Sequence, residues 1–183
     1  MSVHKSERKE SPFEARDHAI RLKKLIRELC YVRNFGYKIR EGKTPRNWDE
    51  WSEQSKDRWK QKEAERLERL RRLDADFLAR KRADIDRDLM TMMREIAGAN
   101  CLIPQTAAEA DERRIHQDRA IAACWWLKVD LQDVIDTVPI DKNWMTAVAP
   151  EIEREINLIG GWRKSDNAAR KRLYAAEGRE SKE

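Results

Sequence analysis

Apolar residues recur at three-four spacing in four stretches of this chain, each bounded by proline, glycine or a capping pattern. That periodicity admits one fold class, because a helical face of this kind must be buried against other helices. The first stretch opens with Ser11-Pro12-Phe13-Glu14, where Ser as N-cap, Pro at the first helical position and Glu two residues on form a capping box. Ala15, Ala19, Ile20, Leu22, Leu25, Ile26, Leu29 and Val32 follow as its buried face, and Gly36 offers a stop. A polar break from Glu41 to Pro45 precedes a helical pattern that runs from Asn47 to about Ala97, with its core face in the second half: Leu67, Leu70, Leu73, Phe77, Leu78, Ile85, Leu89, Met92, Met93 and Ile96. Gly98 and Pro104 are predicted to end it. About 50 helical residues extend roughly 75 Å at 1.5 Å each, twice the reach of the first helix, so the segment from Trp48 to Arg72 must break, fold back or project.

A second capping box, Thr106-x-x-Glu109, starts a third helix through Ala110, Ile115, Ala122, Trp125, Trp126, Val129, Leu131, Val134 and Ile135, closed by Val138-Pro139. Asp141 or Asn143 caps a fourth, carrying Trp144, Met145, Val148, Ile152, Ile156, Ile159 and Trp162, with Pro150 expected to kink it or mark its true start. Beyond Gly160-Gly161 the chain turns polar, and residues 165–183 are expected to form a basic, partly helical, frayed tail. The first ten residues are expected to be disordered. With no strand signal, residues 11–164 predict an all-α, antiparallel, up-down-up-down four-helix bundle, with residues 41–72 as a charged, Trp-containing helical arm extending the second helix.

Composition agrees. The 183 residues fit one domain, and 40% charged residues, against a typical ~25%, mark long solvated helices around a thin core. The three cysteines have no CxxC or Cys/His spacing, so neither a disulfide framework nor a zinc site is indicated, and a reducing cytoplasm is the default. No apolar leader occupies Met1 to Glu10, and no apolar run approaches the ~18 residues of a membrane span.

The residue types that carry chemistry do not converge. His4, His18 and His116 are far apart, and a charged helix surface accounts for His116, which stands among Arg113, Arg114 and Asp118. Asp84, Asp86 and Asp88 alternate at a spacing that splays them around a helix. There is no Glu-x-x-His pair of the di-iron type and no phosphate-binding glycine loop, so neither a cofactor nor a metal is expected.

Positive charge is more suggestive than its net value of +5. Between residues 21 and 40, Arg21, Lys23, Lys24, Arg27, Arg33, Lys38 and Arg40 are opposed only by Glu28, and Arg163, Lys164, Arg170, Lys171 and Arg172 form a second set near the carboxy end. In an up-down-up-down bundle the first and fourth helices are neighbours, so the two sets are expected to share a face or an end. They are either nucleic-acid contacts or a solvated face with stems lying over the core. Trp48, Trp51 and Trp59 lie close to one helical stripe in the most charged segment, either clasping the first helix or forming a docking surface for a partner. Trp125 and Trp126, about 100° apart, cannot both face one seam, so one is expected at a helix edge or subunit boundary.

Ser11-Pro12-Phe13 at the first helix, Ala99-Asn100-Cys101-Leu102-Ile103-Pro104 between the second and third, Arg113-Arg114, and Trp162-Arg163-Lys164-Ser165-Asp166 closing the fourth occur together and in order. In this conjunction, over residues 11–40 and about 85–172, the chain resembles the four-helix-bundle family of diversity-generating retroelement accessory variability determinant proteins and 23S rRNA intervening-sequence proteins. The resemblance implies a non-enzymatic basic bundle that forms a homo-oligomeric ring, typically a pentamer, and binds a retroelement-type reverse transcriptase with its template RNA or cDNA. It also implies that the two basic sets are nucleic-acid contacts. The long segment from about 41 to 72 departs from the compact members and is expected either to alter the ring or to grip the polymerase. A structural or ribosome-associated bundle, and a helical nuclease or toxin component using His116, are the alternatives.

Overall fold

The computed structural model describes residues 12–39 and 41–180. Among them no strand forms, and four long helices make up the fold: α1 (Pro12–Arg27), α2 (Glu53–Cys101), α3 (Ala107–Thr137) and α4 (Met145–Glu180). α1 packs on α2, α2 on α3, α3 on α4 and α4 back on α1, a closed four-helix bundle. Cross-helix partners fix the antiparallel register. Lys23 meets Met90 while Arg27 meets Asp86, His116 meets Glu95 while Asp130 meets Lys81, and Asp111 meets Arg170 while Lys128 meets Glu153.

The apolar stripes bury as their spacing requires: Ala15, Ala19, Leu22 and Ile26 from α1, Ile85, Leu89, Met92 and Ile96 from α2, Leu127 and Leu131 from α3, Ile152, Ile159 and Trp162 from α4. Burial of each large side chain contributes about 1.5–3 kcal/mol, which outweighs the small local propensities of the helices that carry them. α1 begins at Pro12, while the Ser11 half of its capping box and residues 1–10 fall outside the described residues. α3 starts with the full reciprocal box between Thr106 and Glu109 and stops before Val138-Pro139.

Beyond α1 the chain widens into a π-helical turn at Glu28–Val32 and then reverses through three successive left-handed residues, Asn34, Phe35 and Gly36 (φ 48°, 56° and 65°). Left-handed backbone disfavours a bulky residue such as Phe35. The turn is held because Phe35 is fully buried against Trp144, and Arg82 from α2 donates to Cys30 O and Asn34 Oδ1 while its guanidinium lies over the Phe35 and Tyr31 rings. At Gly36 a Cβ would lie 3.1 Å from Asp141 Cβ, because Tyr37 and Ile140 pair there as an antiparallel bridge that ties α1's exit to α4's entrance.

Three expectations are corrected, and the open choice for the long helix is decided. Gly98 does not end α2, which continues to Cys101. Its missing side chain admits the His116 ring, 3.0 Å from where a Cβ would stand, so the glycine permits close helix approach. α2 neither breaks nor folds back, and from Glu53 to Phe77, about 25 residues or roughly 37 Å, none of its side chains is buried. The helical arm begins only at Glu53, residues 41–47 being non-helical and Trp48–Glu50 a single 3-10 turn. Finally, α4 runs through Pro150 and Gly160-Gly161 to Glu180, and its end docks on the start of α3: Glu177 accepts from the Ala107 amide, and Arg170 and Tyr174 both bond Asp111. Those partners satisfy a helix start and two charges, so the segment after residue 165 is ordered rather than frayed through Glu177. Pro150 sits near α4's beginning, where few intrahelical amide bonds are lost, and the 3-10 turn Lys142–Trp144 capped by Asp141 precedes it.

Candidate nucleic-acid interface

On α1 the core stripe leaves Arg21, Lys24 and Arg27 exposed on the outer surface. Arg27 is neutralised: its Nε lies 2.9 Å from Asp86 Oδ1, and Tyr31 donates to the other oxygen at 2.6 Å. Against the upward push of partial burial, these hydrogen bonds hold the Asp86 carboxyl below its ordinary range. Arg33 pairs with Glu28 at 2.7 Å. Lys23 reaches the Met90 sulfur at 3.4 Å, and Lys38 is exposed while its backbone amide donates to Pro139 O. Arg21, Lys23, Lys24 and Lys38 form no ion pair with a described residue, and Arg40 lies outside the described residues.

In the second set Arg163 pairs with Asp118, and Arg170 with Asp111 at 2.5 Å, which raises the Arg170 guanidinium and lowers the Asp111 carboxyl from their ordinary values. Lys164, Lys171 and Arg172 are exposed, with no ion pair to a described residue. The two sets do not share an end. His18 touches Glu151 and Glu155, which puts the Arg21 level of α1 beside that turn of α4. Arg163 stands eight positions past Glu155, about 12 Å, and Arg172 about 25 Å, in the part of α4 that runs along the start of α3. The cations form two separate patches, one near the arm and one at the far end.

Trp48, Trp51 and Trp59 do not clasp α1. Their rings pack on one another, Trp48 lying 5.6 Å from Trp51 and 5.2 Å from Trp59 between centroids, each half-buried. They form a small cluster where the chain leading into α2 lies against that helix's own first turns. The same run is fastened further along by Gly42, whose amide donates to Glu63 Oε1 at 2.7 Å, and the Arg66 guanidinium with that amide holds the Glu63 carboxyl down to about 2. Ile39, Arg66, Leu70, Asp74 and Ile140 border a groove of about 450 Å3 at the base of the arm, where Tyr37 donates to Asp74 at 2.7 Å.

Trp125 and Trp126 are both on the outside, 50% and 61% exposed, where one was expected to find an edge. With Ile115, Ala122 and Val129 they make an apolar stripe on the solvent side of α3, opposite the buried Ala120, Cys124, Leu127 and Leu131. The positions were visible in the sequence, since Ile115, Ala122, Trp126 and Val129 repeat at helical spacing. α3 is apolar on two sides, and periodicity alone does not say which side faces in.

Neither described histidine is a free surface group. His18 is buried, with Nδ1 2.5 Å from Glu155 Oε2 and Nε2 2.8 Å from Glu151 Oε2. His116 is part-buried, with Nδ1 2.6 Å from the buried Glu95 carboxylate, which corrects its assignment to a charged surface. His4 lies outside the described residues. Asp84, Asp86 and Asp88 are splayed as expected. Asp86 faces α1, Asp84 pairs with Arg87, and Asp88 faces Asp130 of α3, where burial and that second carboxylate push it up to about 6. Among the described residues no group of three or more His, Cys, Asp or Glu is arranged to hold a metal ion, and no helix is long and apolar enough to cross a membrane. The chain matches no protein-family model, no curated protein and no solved structure.

Proposed function

We propose that the chain is a non-enzymatic binding scaffold, an accessory protein that holds a retroelement-type reverse transcriptase and its template RNA or cDNA and assembles with copies of itself. The observation that carries the scaffold reading is the arm. Over roughly 37 Å of α2 no side chain is fully buried, Phe77 at the bundle end alone lying against the core, yet the helix is held by a ladder of local pairs, Glu53–Lys56, Asp57–Lys60, Glu63–Arg66 and Glu68–Arg72. A helix maintained outside the core, ending in a tryptophan cluster, suits the gripping of another macromolecule. The polymerase as partner, and a ring of five copies, follow from the resemblance carried by the four motifs named above.

Unpaired cations on α1 and α4 support the nucleic-acid part of the reading, because Lys and Arg without carboxylate partners are available to phosphates. The apolar α3 stripe supports self-association through a face that the bundle itself leaves uncovered.

Co-purification from the native operon, with the mass of the assembly measured, tests partner and stoichiometry together. A reverse transcriptase in the complex is expected, and its absence from a stable assembly would refute the polymerase assignment. Binding of single-stranded RNA and DNA measured against salt tests the cations: affinity should fall steeply with ionic strength, and Arg21→Gln with Lys24→Gln should lower the log–log slope by about 1.4, at ~0.7 per lost contact. An unchanged slope in the double variant would remove α1 from the interface.

A further inference from the structure

Two of the motifs that were distant in sequence meet at one place. Arg113, Arg114 and Gln117 on α3 face Arg163, Asp166 and Arg170 on α4, Gln117 standing four and three positions after the two adjacent arginines and the α4 trio being three and four apart, and between the two helices lies a cavity of about 110 Å3. A space of this size accommodates a tetrahedral oxyanion.

Four guanidiniums line this space and three carboxylates hold them. Arg163 and Arg114 share Asp118, Arg170 takes Asp111, and Arg113 approaches Asp166, which also accepts from Gln117 at 2.8 Å. One positive charge is left in excess. The carboxylates use the forks incompletely: Arg114 gives Nη1 to Asn167, Arg113 gives Nη1 to Leu102 O, and no Nη2 of the four bonds a described residue. Arg113 Nε is a buried donor with no acceptor, since it lies 2.9 Å from Asp166 Oδ2 but out of line for a hydrogen bond. Its guanidinium is fixed in place over the buried Trp162 ring, 5.2 Å from the centroid. Buried donors left unpaired are costly, and planar forks on two rigid helices suit an oxyanion that accepts several of them at once.

We infer that the α3–α4 pocket binds a phosphomonoester through Arg113, Arg114, Arg163 and Arg170. A phosphodiester in mid-strand must carry chain out on both sides, whereas a terminal phosphate enters a space of this size from one side only. The pocket's chemistry is independent of the scaffold reading. The choice of a nucleic-acid 5′ end as the phosphate's source rests on it, free phosphate being the other source of the same group.

The test compares a 5′-phosphorylated oligonucleotide with its 5′-hydroxyl twin on the full-length protein, alongside titration with inorganic phosphate. The phosphorylated strand is expected to bind at least about tenfold more tightly, and the difference should vanish in Arg114→Gln and Arg163→Gln, whose side chains are part-exposed and whose folding is checked by circular dichroism. Equal binding of both strands, with no phosphate binding, overturns the pocket while leaving nucleic-acid binding intact. Phosphate binding lost in the two variants, without any oligonucleotide binding, keeps the pocket and overturns the nucleic-acid reading. Phosphate binding unchanged in both variants overturns the assignment of the site.

Discussion

Replacing Trp48 with alanine separates the arm from the bundle energetically. Trp48 is the hub of its cluster, touching Trp51 and Trp59 at 5.6 and 5.2 Å, so the substitution deletes both ring pairs. At ~0.5–1.5 kcal/mol for each aromatic pair, the segment that leads into α2 loses about 1–3 kcal/mol of local stability. With ~1.4 kcal/mol per decade, amides whose exchange requires that segment to open should exchange roughly 5- to 150-fold faster. The reporters are Gly42, whose amide is held by Glu63, and Glu50 and Trp51, held by Asn47 O and Trp48 O. Hydrogen exchange followed by mass spectrometry reads these peptides and, in the same run, the core turns around Leu89, Met92 and Ile96, which should be unaffected. Equal acceleration in the core, with a matching fall in Tm, would refute the reasoning, because it would show that the arm unfolds only with the bundle. Unchanged exchange at residues 42–51 would show that the rings do not hold the segment.

Three further outcomes are expected. Burial pushes the Glu155 carboxyl up to about 7 against hydrogen bonding from His18, with Arg21 on α1, Arg154 and Glu151 on α4 and Cys124 on α3 as its charged or titratable surroundings. A carboxyl raised in the folded state contributes stability that is complete below about 4.5 and is lost as pH rises through about 7, so Tm should fall across that window and Glu155→Gln should flatten the fall; a wild-type Tm that rises there would reverse the sign. Gly98→Leu should cost about 1–3 kcal/mol in urea unfolding despite leucine's better helix propensity, because its Cβ would start 3.0 Å from the His116 ring, and a stabilised variant would mean the helices are free to part. Trp126→Glu with Val129→Glu should leave unfolding stability within about 0.5 kcal/mol of wild type, since both sites are exposed, and should dissociate the proposed assembly in sedimentation; an oligomer intact in the variant would exclude the α3 stripe from the contact.

Local signals were legible because their physics is local. The Thr106–Glu109 capping box, the start at Pro12, the Val138-Pro139 stop and the stripe Leu89, Met92, Ile96 all follow from bonds or spacing within a few residues. What sequence could not supply were partners far along the chain. The end of α4 looks like a polar tail until Arg170 and Tyr174 meet Asp111 and Glu177 meets the Ala107 amide, 59 to 70 positions away. Gly98 looks like a helix stop until His116 is seen to need its space. The partners of His18, two glutamates of α4, lie 133 and 137 positions away. The same limit applied to charge: Arg27 belongs to the basic run by sequence, and only the packing of α2 reveals Asp86 beside it.

The distribution of ion pairs then explains how one chain sustains two kinds of helix. Across the bundle, charged side chains reach between helices, Arg27 to Asp86, Lys81 to Asp130 and Asp133, Lys128 to Glu153, Arg170 to Asp111, so these pairs form only once the core has brought the helices together. Along the arm every ion pair lies three or four residues apart within α2, so these pairs form without a neighbouring helix. Interhelical pairs add register to a structure already paid for by apolar burial, whereas local pairs stand in for burial where there is none. An arm built this way keeps its helical geometry while leaving its outer faces, Arg58, Lys62 and Arg69 among them, exposed.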